Sequence, residues 1–306
     1  MSHSRAGAIV AVVVLMCCVS PLRAQDSFLV MSAKGKVEYS AGKSGKWKKL
    51  EIGQTLKKGD VVRTSFASYV KLMLNAQRLL SIDENTTSPL AEFVKSKSGG
   101  ADNASGKILA WASQSMSKSK QKKSGPDFGA VRGGMGVFSA VFPTQSILTD
   151  LPTFQWIDTD SAAAYQILVL DEAYQVVDRR DAKGYSLSAE PQKLANGKTY
   201  HWQVTRITDG EIANVQSFTI VPKDTAMAVA REIENLDKEL AKMNTDDVTR
   251  HLIHAVYYEH KGLYQDAFVE YRETIRLAPE VEEYRSMLRS LLVTLRLFGE
   301  EEYLLR

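Results

Sequence analysis

Apolar residues in this chain change their period once, and that change limits the fold more than any other feature. Before Asp224 they alternate or cluster in short runs bounded by Gly, Asn, Asp and Ser; after it they recur every three or four residues. Period two lines one face of a strand, whereas a period of about 3.6 draws a stripe along a helix. A single boundary of that kind predicts a β region followed by an α region rather than an alternating α/β chain, and 306 residues leave room for two or three domains.

The β region divides in two. Residues 27–93 carry the runs SFLVMSA, GKVEYSA, DVVRTS, YVKLML and LLSID, with KKGD and NAQR between them as turns. In YVKLML, Val70, Leu72 and Leu74 share one face. An all-β domain is expected over 25–93. Residues 94–140 are dense in Ser, Lys and Gly, a composition that buries little apolar area against its ordering entropy. They read as a linker, with ILAWA as a candidate strand inside it. From 141 to 222 the alternation is cleaner. Phe154 and Trp156 share a face, as do Tyr165, Ile167 and Val169, and Tyr200, Trp202 and Val204, the last set entered through Asn196-Gly197. Five or more short strands with frequent turns predict a sandwich.

In the α region, 223–306, Val229, Ile233, Leu236, Leu240 and Met243 form the first amphipathic stripe. NTDD at 244–247 ends that helix and caps the next, which runs from about Val248 to His260 and stops at Gly262. A third helix is expected from Gln265 to Leu277, stopped by Ala278-Pro279, and a fourth from near Glu280.

The N-terminus has a different purpose. Arg5 precedes an apolar run from Ala6 to Val19, and Ala24 offers a small residue ahead of a polar stretch. Residues 1–24 therefore read as a secretory signal peptide, cut after Ala24. Both cysteines, Cys17 and Cys18, fall inside it, so the mature chain is expected to have neither disulfide, thiol nucleophile nor cysteine metal site. Met16 ahead of Cys17 argues against lipidation. No later run is apolar and long enough to span a bilayer. The expected location is exported, most simply periplasmic.

Charge is uneven along the chain. Residues 25–132 hold 19 Lys and Arg against 9 Asp and Glu, a net of +10, and residues 133–306 hold 18 against 27, a net of −9. Oppositely charged solvated surfaces account for that split, and so does a basic front half that meets an anionic polymer or an acidic partner.

The first β region resembles the FecR domain family. The shared features are Gly35, Val37, Trp47, Leu50, Gly53, Leu56, the Gly59-Asp60 pair, Val62, Thr64, Ser68, Val70 and Leu72, and Ala130–Gly134 is similar to the segment that closes many members, with Gly134 in place of Thr. On that segment the domain would extend to 140. The resemblance implies an exported β domain. Members that regulate sigma factors carry a cytoplasmic segment and a membrane span before it, where this chain has the signal segment. The second region is similar to fibronectin type III and Ig-like sandwiches over Leu194–Val204, which implies that the Tyr200 hydroxyl bonds backbone at a sheet corner. The helical hairpin resembles a tetratricopeptide repeat at Ala255, Tyr258, Gly262, Tyr264, Ala267, Tyr271 and Pro279, with Thr274 in place of Ala. One such repeat cannot bury its faces alone, so the flanking helices are its expected caps.

Residues able to do chemistry are few. His251, His254 and His260 lie on or near one helix with Glu259, but no His-Glu-x-x-His motif or clear third ligand accompanies them, and structural histidines are the expected reading. His201 alternates with Tyr200 and Trp202 and should face outward. The pairs Asp158 with Asp160 and Asp171 with Glu172 fall in turns, where solubility explains them better than glycosidase chemistry does. The glycine-rich stretches lack the Lys-Ser/Thr of a phosphate loop, and the basic ones lack interleaved aromatics apart from Trp47 and Trp111, so neither phosphate nor nucleic acid is an expected ligand. No catalytic, cofactor or metal residue is assigned. The expectation is a multidomain, non-enzymatic, exported envelope protein without cofactor that binds or scaffolds. Its partner would be an envelope protein or an anionic wall polymer. Envelope signalling of the FecR type is the first alternative, and a polysaccharide-acting enzyme the second.

Overall fold

The computed structural model describes residues 26–95 apart from 43, 104–121, 138–159, 164–295 apart from 192, and residues 297 and 304. The expected signal peptide and the Ala130–Gly134 segment lie outside the described residues. The chain is a β plus α multidomain protein. The first β region forms two four-stranded sheets. One is ordered β4 (Thr55–Lys57), β1 (Ser27–Lys34), β6 (Tyr69–Leu74), β7 (Arg78–Ile82); the other is β3 (Trp47–Lys49), β2 (Val37–Ser40), β5 (Val61–Thr64), β8 (Thr87–Pro89). Phe28, Val30, Val70, Leu72 and Leu74 from the first sheet meet Val37, Leu50 and Val62 from the second in one core. Asp60, in the turn before β5, accepts from the Gly42 N–H at 3.0 Å and the Lys57 N–H at 2.8 Å, while Lys57 and Lys58 stand exposed.

The alternate positions of that first sheet are buried as well. Leu29, Met31, Met73 and Leu79 point away from the strand core and into the helices. Burying a side chain of that size removes about 1.5–3 kcal/mol worth of apolar surface from water. The sheet therefore needs a cover on its second face, and the helices supply it.

A five-stranded sheet and a three-stranded sheet make the second β region. The larger is β10 (Gln145–Ile147), β16 (Gln216–Ile220), β15 (Thr199–Arg206), β12 (Tyr165–Leu170), β13 (Val176–Ala182), and the smaller is β14 (Ser186–Ser188), β11 (Thr153–Asp158), β9 (Phe138–Phe142). Phe154, Trp156, Tyr165, Ile167, Tyr200 and Trp202 fill the space between them. The Tyr200 hydroxyl accepts from the Ala195 N–H at 2.9 Å. Strand structure begins at Phe138, inside the range expected to be linker.

The larger correction concerns that same range. The sequence predicts ILAWA as a strand within a linker, but Ala104–Gln121 is an 18-residue helix, α2, preceded by the short α1 (Leu90–Lys95). Ile108, Leu109, Ala112 and Met116 form one helical stripe and are all buried. Five serines give the segment poor intrinsic helicity, and tertiary burial supplies what propensity does not. This helix packs on α4 (Asp247–His260) and α6 (Glu282–Thr294), with lesser contact to α3 (Lys223–Lys242), β1 and β7. Trp111 stacks on His260 with ring centroids 3.5 Å apart.

The remaining helices follow their sequence signals. Asp246 caps α4 by accepting from the Thr249 N–H at 2.9 Å, and Gly262 closes it in the left-handed region at φ +74°. Ala255 and Ala267, both fully buried, let α4 and α5 (Tyr264–Leu277) approach. The helical layer also meets the second β region: Val141, Phe142, Ile157 and Val221 join its core, and Phe142 lies 4.8 Å from Phe268. Among the described residues no helix is long and apolar enough to cross a membrane.

One carboxylate is held against its preference at this seam. Asp266, in the first turn of α5, takes a backbone hydrogen bond from Leu148, yet its Oδ2 is buried without a hydrogen-bond partner. Burial pushes its pKa up to about 6, Glu270 adding to the rise. The folded chain therefore favours the protonated acid. Stability from this group is complete below the ordinary pKa of 3.8 and is lost as pH rises through about 6. Asp266→Asn should raise the urea midpoint at pH 8, by about 1–3 kcal/mol in unfolding free energy, and leave it unchanged near pH 4. An equal change at both pH values would contradict the burial argument.

Candidate functional site

Where the first β region meets the helices, a groove of about 1210 Å³ opens. Its strand wall carries Lys34, Lys36 and Lys49 with Glu38 and Glu51 among them, and its helical wall carries Asp246, Asp247, Glu280, Glu282 and Glu283. Lys34, Lys36, Lys49, Glu51, Asp247, Glu280 and Glu282 are exposed. The acidic helical wall thus faces a strand wall of mixed charge that holds three lysines.

The strand wall is rigid for a local reason. Gly35 sits at φ +76° between β1 and β2, and a Cβ there would run into the Ser68 side chain. Ser68 Oγ accepts from the Lys36 N–H at 2.9 Å and donates to the Phe66 carbonyl at 3.1 Å. Only glycine suits that turn, and the turn sets Lys34 and Lys36 on the rim.

The floor is the joint between strands and helices. Ser32 Oγ donates to Asp246 Oδ2 at 3.0 Å, and Thr249 Oγ1 donates to Ser32 Oγ at 2.8 Å. The Tyr284 hydroxyl donates to the Met31 carbonyl at 2.9 Å in a buried contact. Lys71, only 4% exposed, extends from β6 to donate to Ser81 Oγ at 3.0 Å and to the Asn244 carbonyl. Burial lowers its pKa, while Asp246 and Asp83 oppose that shift. Burial, with Asp246 and Asp247, pushes the neighbouring Tyr69 up to about 12. The same Asp246 side chain therefore caps α4 and anchors it to the sheet. Apart from the cap within NTDD, none of these roles follows from the sequence. The one signal was a lysine in the middle of YVKLML, between apolar residues on both strand faces.

The residues weighed from sequence are placed as follows. His251 Nδ1 lies 2.6 Å from Glu270 Oε2, and His254 Nε2 lies 2.8 Å from Asp237 Oδ1. His254 Nδ1 also lies 4.0 Å from Glu270 Oε2, so His251 and His254 flank one carboxylate, while His260 stacks on Trp111. Among the described residues no group of three His, Cys, Asp or Glu could hold a metal ion. His201 faces outward, bonds Ser217 Oγ at 2.7 Å and stacks on Tyr174. Asp158 is committed to a buried bidentate pair with Arg206, at 2.9 Å to each carboxylate oxygen, and Asp160 lies outside the described residues. Asp171 accepts from the Ala173 and Gln175 N–H groups, and Glu172 accepts from the Thr199 N–H. Trp47 lies under the Arg63 guanidinium at 4.1 Å.

No family model matches the sequence, and no curated protein matches it. Solved structures give partial likenesses only. CopC from Methylosinus trichosporium OB3b is 19% identical over 28% of this chain and 96% of its own, with a TM-score of 0.21. The chicken CNTN1 FN1-FN3 domains are 12% identical over 65% of this chain and 56% of theirs, also at 0.21. The BSP domain of a biofilm associated protein is 10% identical over 65% of this chain and 25% of its own, at 0.22. Likenesses at that level carry no argument about role.

Proposed function

We propose that this chain is a non-enzymatic, exported cell-envelope protein that binds or scaffolds, built from a FecR-like β domain, a fibronectin- or Ig-like sandwich and a tetratricopeptide-like helical region. The groove, with an acidic helical wall and a strand wall of mixed charge, is the observation that carries this reading. Such a lining suits an extended segment of an envelope protein that carries both charges, and it disfavours a uniformly anionic chain. Helix α2 lies across α4 and α6, which moves the docking surface from the helical hairpin to this groove. Lys46, Lys48, Lys57 and Lys58 are exposed on the same β domain and support a second reading, in which its outer surface contacts an anionic wall polymer.

The test is capture from periplasmic extract by the wild-type chain and by two charge reversals, Lys34→Glu/Lys36→Glu and Glu280→Lys/Glu282→Lys. Each reversal should remove the same captured protein, and raised salt should weaken its retention. A captured set that neither reversal alters would sink the groove reading. Salt-sensitive retention on purified wall polymer, lost with Lys57→Glu/Lys58→Glu, would instead support the second.

A further inference from the structure

The β12–β13 hairpin holds an aromatic ring where its own turn chemistry asks for glycine. Asp171 and Gln175 close a loop of three residues: the Asp171 N–H donates to the Gln175 carbonyl, and the Tyr174 N–H to the Asp171 carbonyl, each at 2.9 Å. Such loops are a turn followed by one residue in the left-handed region, a place suited to Gly or Asn. Here that residue is Tyr174, at φ +59°. A bulky side chain in that conformation is strained, and strain of this kind marks functional positions.

The ring is not hidden to compensate. Tyr174 is 65% exposed. One of its faces lies on His201, with centroids 4.6 Å apart and planes 6° from parallel. His201 is itself steadied by Ser217. The hairpin that Tyr174 closes pairs the half-buried Leu170 with the exposed Val176. The rim is polar and acidic: Glu172 is held by the Thr199 N–H at 3.0 Å, and Asp171 by two turn N–H groups.

We infer that Tyr174, backed by His201, is a stacking platform for the ring of an uncharged glycan. A flat aromatic face takes the C–H face of a pyranose, and the carboxylates beside it accept hydrogen bonds from sugar hydroxyls. Those carboxylates repel phosphate and uronate groups, so charge complementarity selects a neutral sugar over the anionic polymers considered for the β domain. The site lies on the second β region and does not depend on the groove.

Saturation-transfer NMR on cellohexaose, chitohexaose and laminarihexaose tests this. The wild-type chain should transfer saturation to the ring protons of at least one hexaose. Tyr174→Gly should bind it about tenfold more weakly or worse, the loss expected of a central aromatic anchor. Its unfolding midpoint should be at or above wild type, because glycine relieves the strained turn. Tyr174→Phe should retain binding, and His201→Ala should weaken it. Absence of transfer to all three hexaoses overturns the assignment, as does undiminished binding by Tyr174→Gly. Loss of a captured protein by Tyr174→Gly without any hexaose binding also overturns it, in favour of a protein interface.

Discussion

Replacing Arg206 with alanine is expected to lower the unfolding free energy by about 3–5 kcal/mol, read as a shift of the urea midpoint. Its side chain is 6% exposed and that of its partner Asp158 is fully buried. The guanidinium spans both Asp158 oxygens and also bonds Asp209 and Glu211, and its hydrogen bonds to Asp158 and then Asp209 raise its pKa above the ordinary range. The outer pair is half exposed and contributes little. The inner pair decides the outcome. Removing Arg206 leaves the Asp158 carboxylate inside the sandwich without its counter-charge, although the Tyr165 hydroxyl still donates to it at 3.0 Å. Adding Asp158→Asn to the Arg206→Ala variant should restore part of the loss, since the uncompensated charge rather than the missing contacts carries most of it. A single variant within about 1 kcal/mol of wild type would show that the pair is solvated.

The second large effect belongs to α2. Leu109→Ala should cost about 2–5 kcal/mol, the usual range for truncating a buried leucine. Leu109 is 3% exposed and packs in the cluster that joins the first β region to the helices. If 94–140 were a linker, the same substitution would change nothing measurable. Urea unfolding of Leu109→Ala beside Lys107→Ala, an exposed position on the same helix, separates the two cases. Only the leucine variant should lose stability. Equal, small shifts in both would remove α2 from the core.

These two residues also show where sequence reading works and where it stops. Tyr165, Ile167 and Val169 could be placed on one face, and Tyr200, Trp202 and Val204 on another, because period two is a local rule, and the register of β12 against β15 brings the two sets together. Asp246 could be read as a cap because NTDD precedes an apolar stripe, and the cap depends on residues three apart. Nothing in the sequence singles out Arg206. Its burial depends on Asp158, which is 48 positions earlier and meets it only across the sandwich. The stripe Ile108, Leu109, Ala112 and Met116 was present in the sequence, but serine and lysine outweighed it in a composition-based reading.

The groove was less legible still. Its charges were visible as a contrast between the two halves, without any sign that they would face each other. Lys71 and Ser32 take their roles from Asn244 and Asp246, which lie 173 and 214 positions away.

What the sequence determined by itself is local: the strands within 27–82 and 141–222, the helices after Asp224, the stop at Gly262 and the cap within NTDD. Each follows from residues within one turn or one hairpin of each other. Only the tertiary structure decided that the sheet of β1 and β6 is buried on both faces, that α2 is a helix covering α4 and α6, and that the acidic helical wall faces the lysines of the strand wall across one groove. The reason is physical. Period and capping are set by neighbours along the chain, whereas the fate of Met73, Lys71 and Leu109 depends on which distant surface removes them from water.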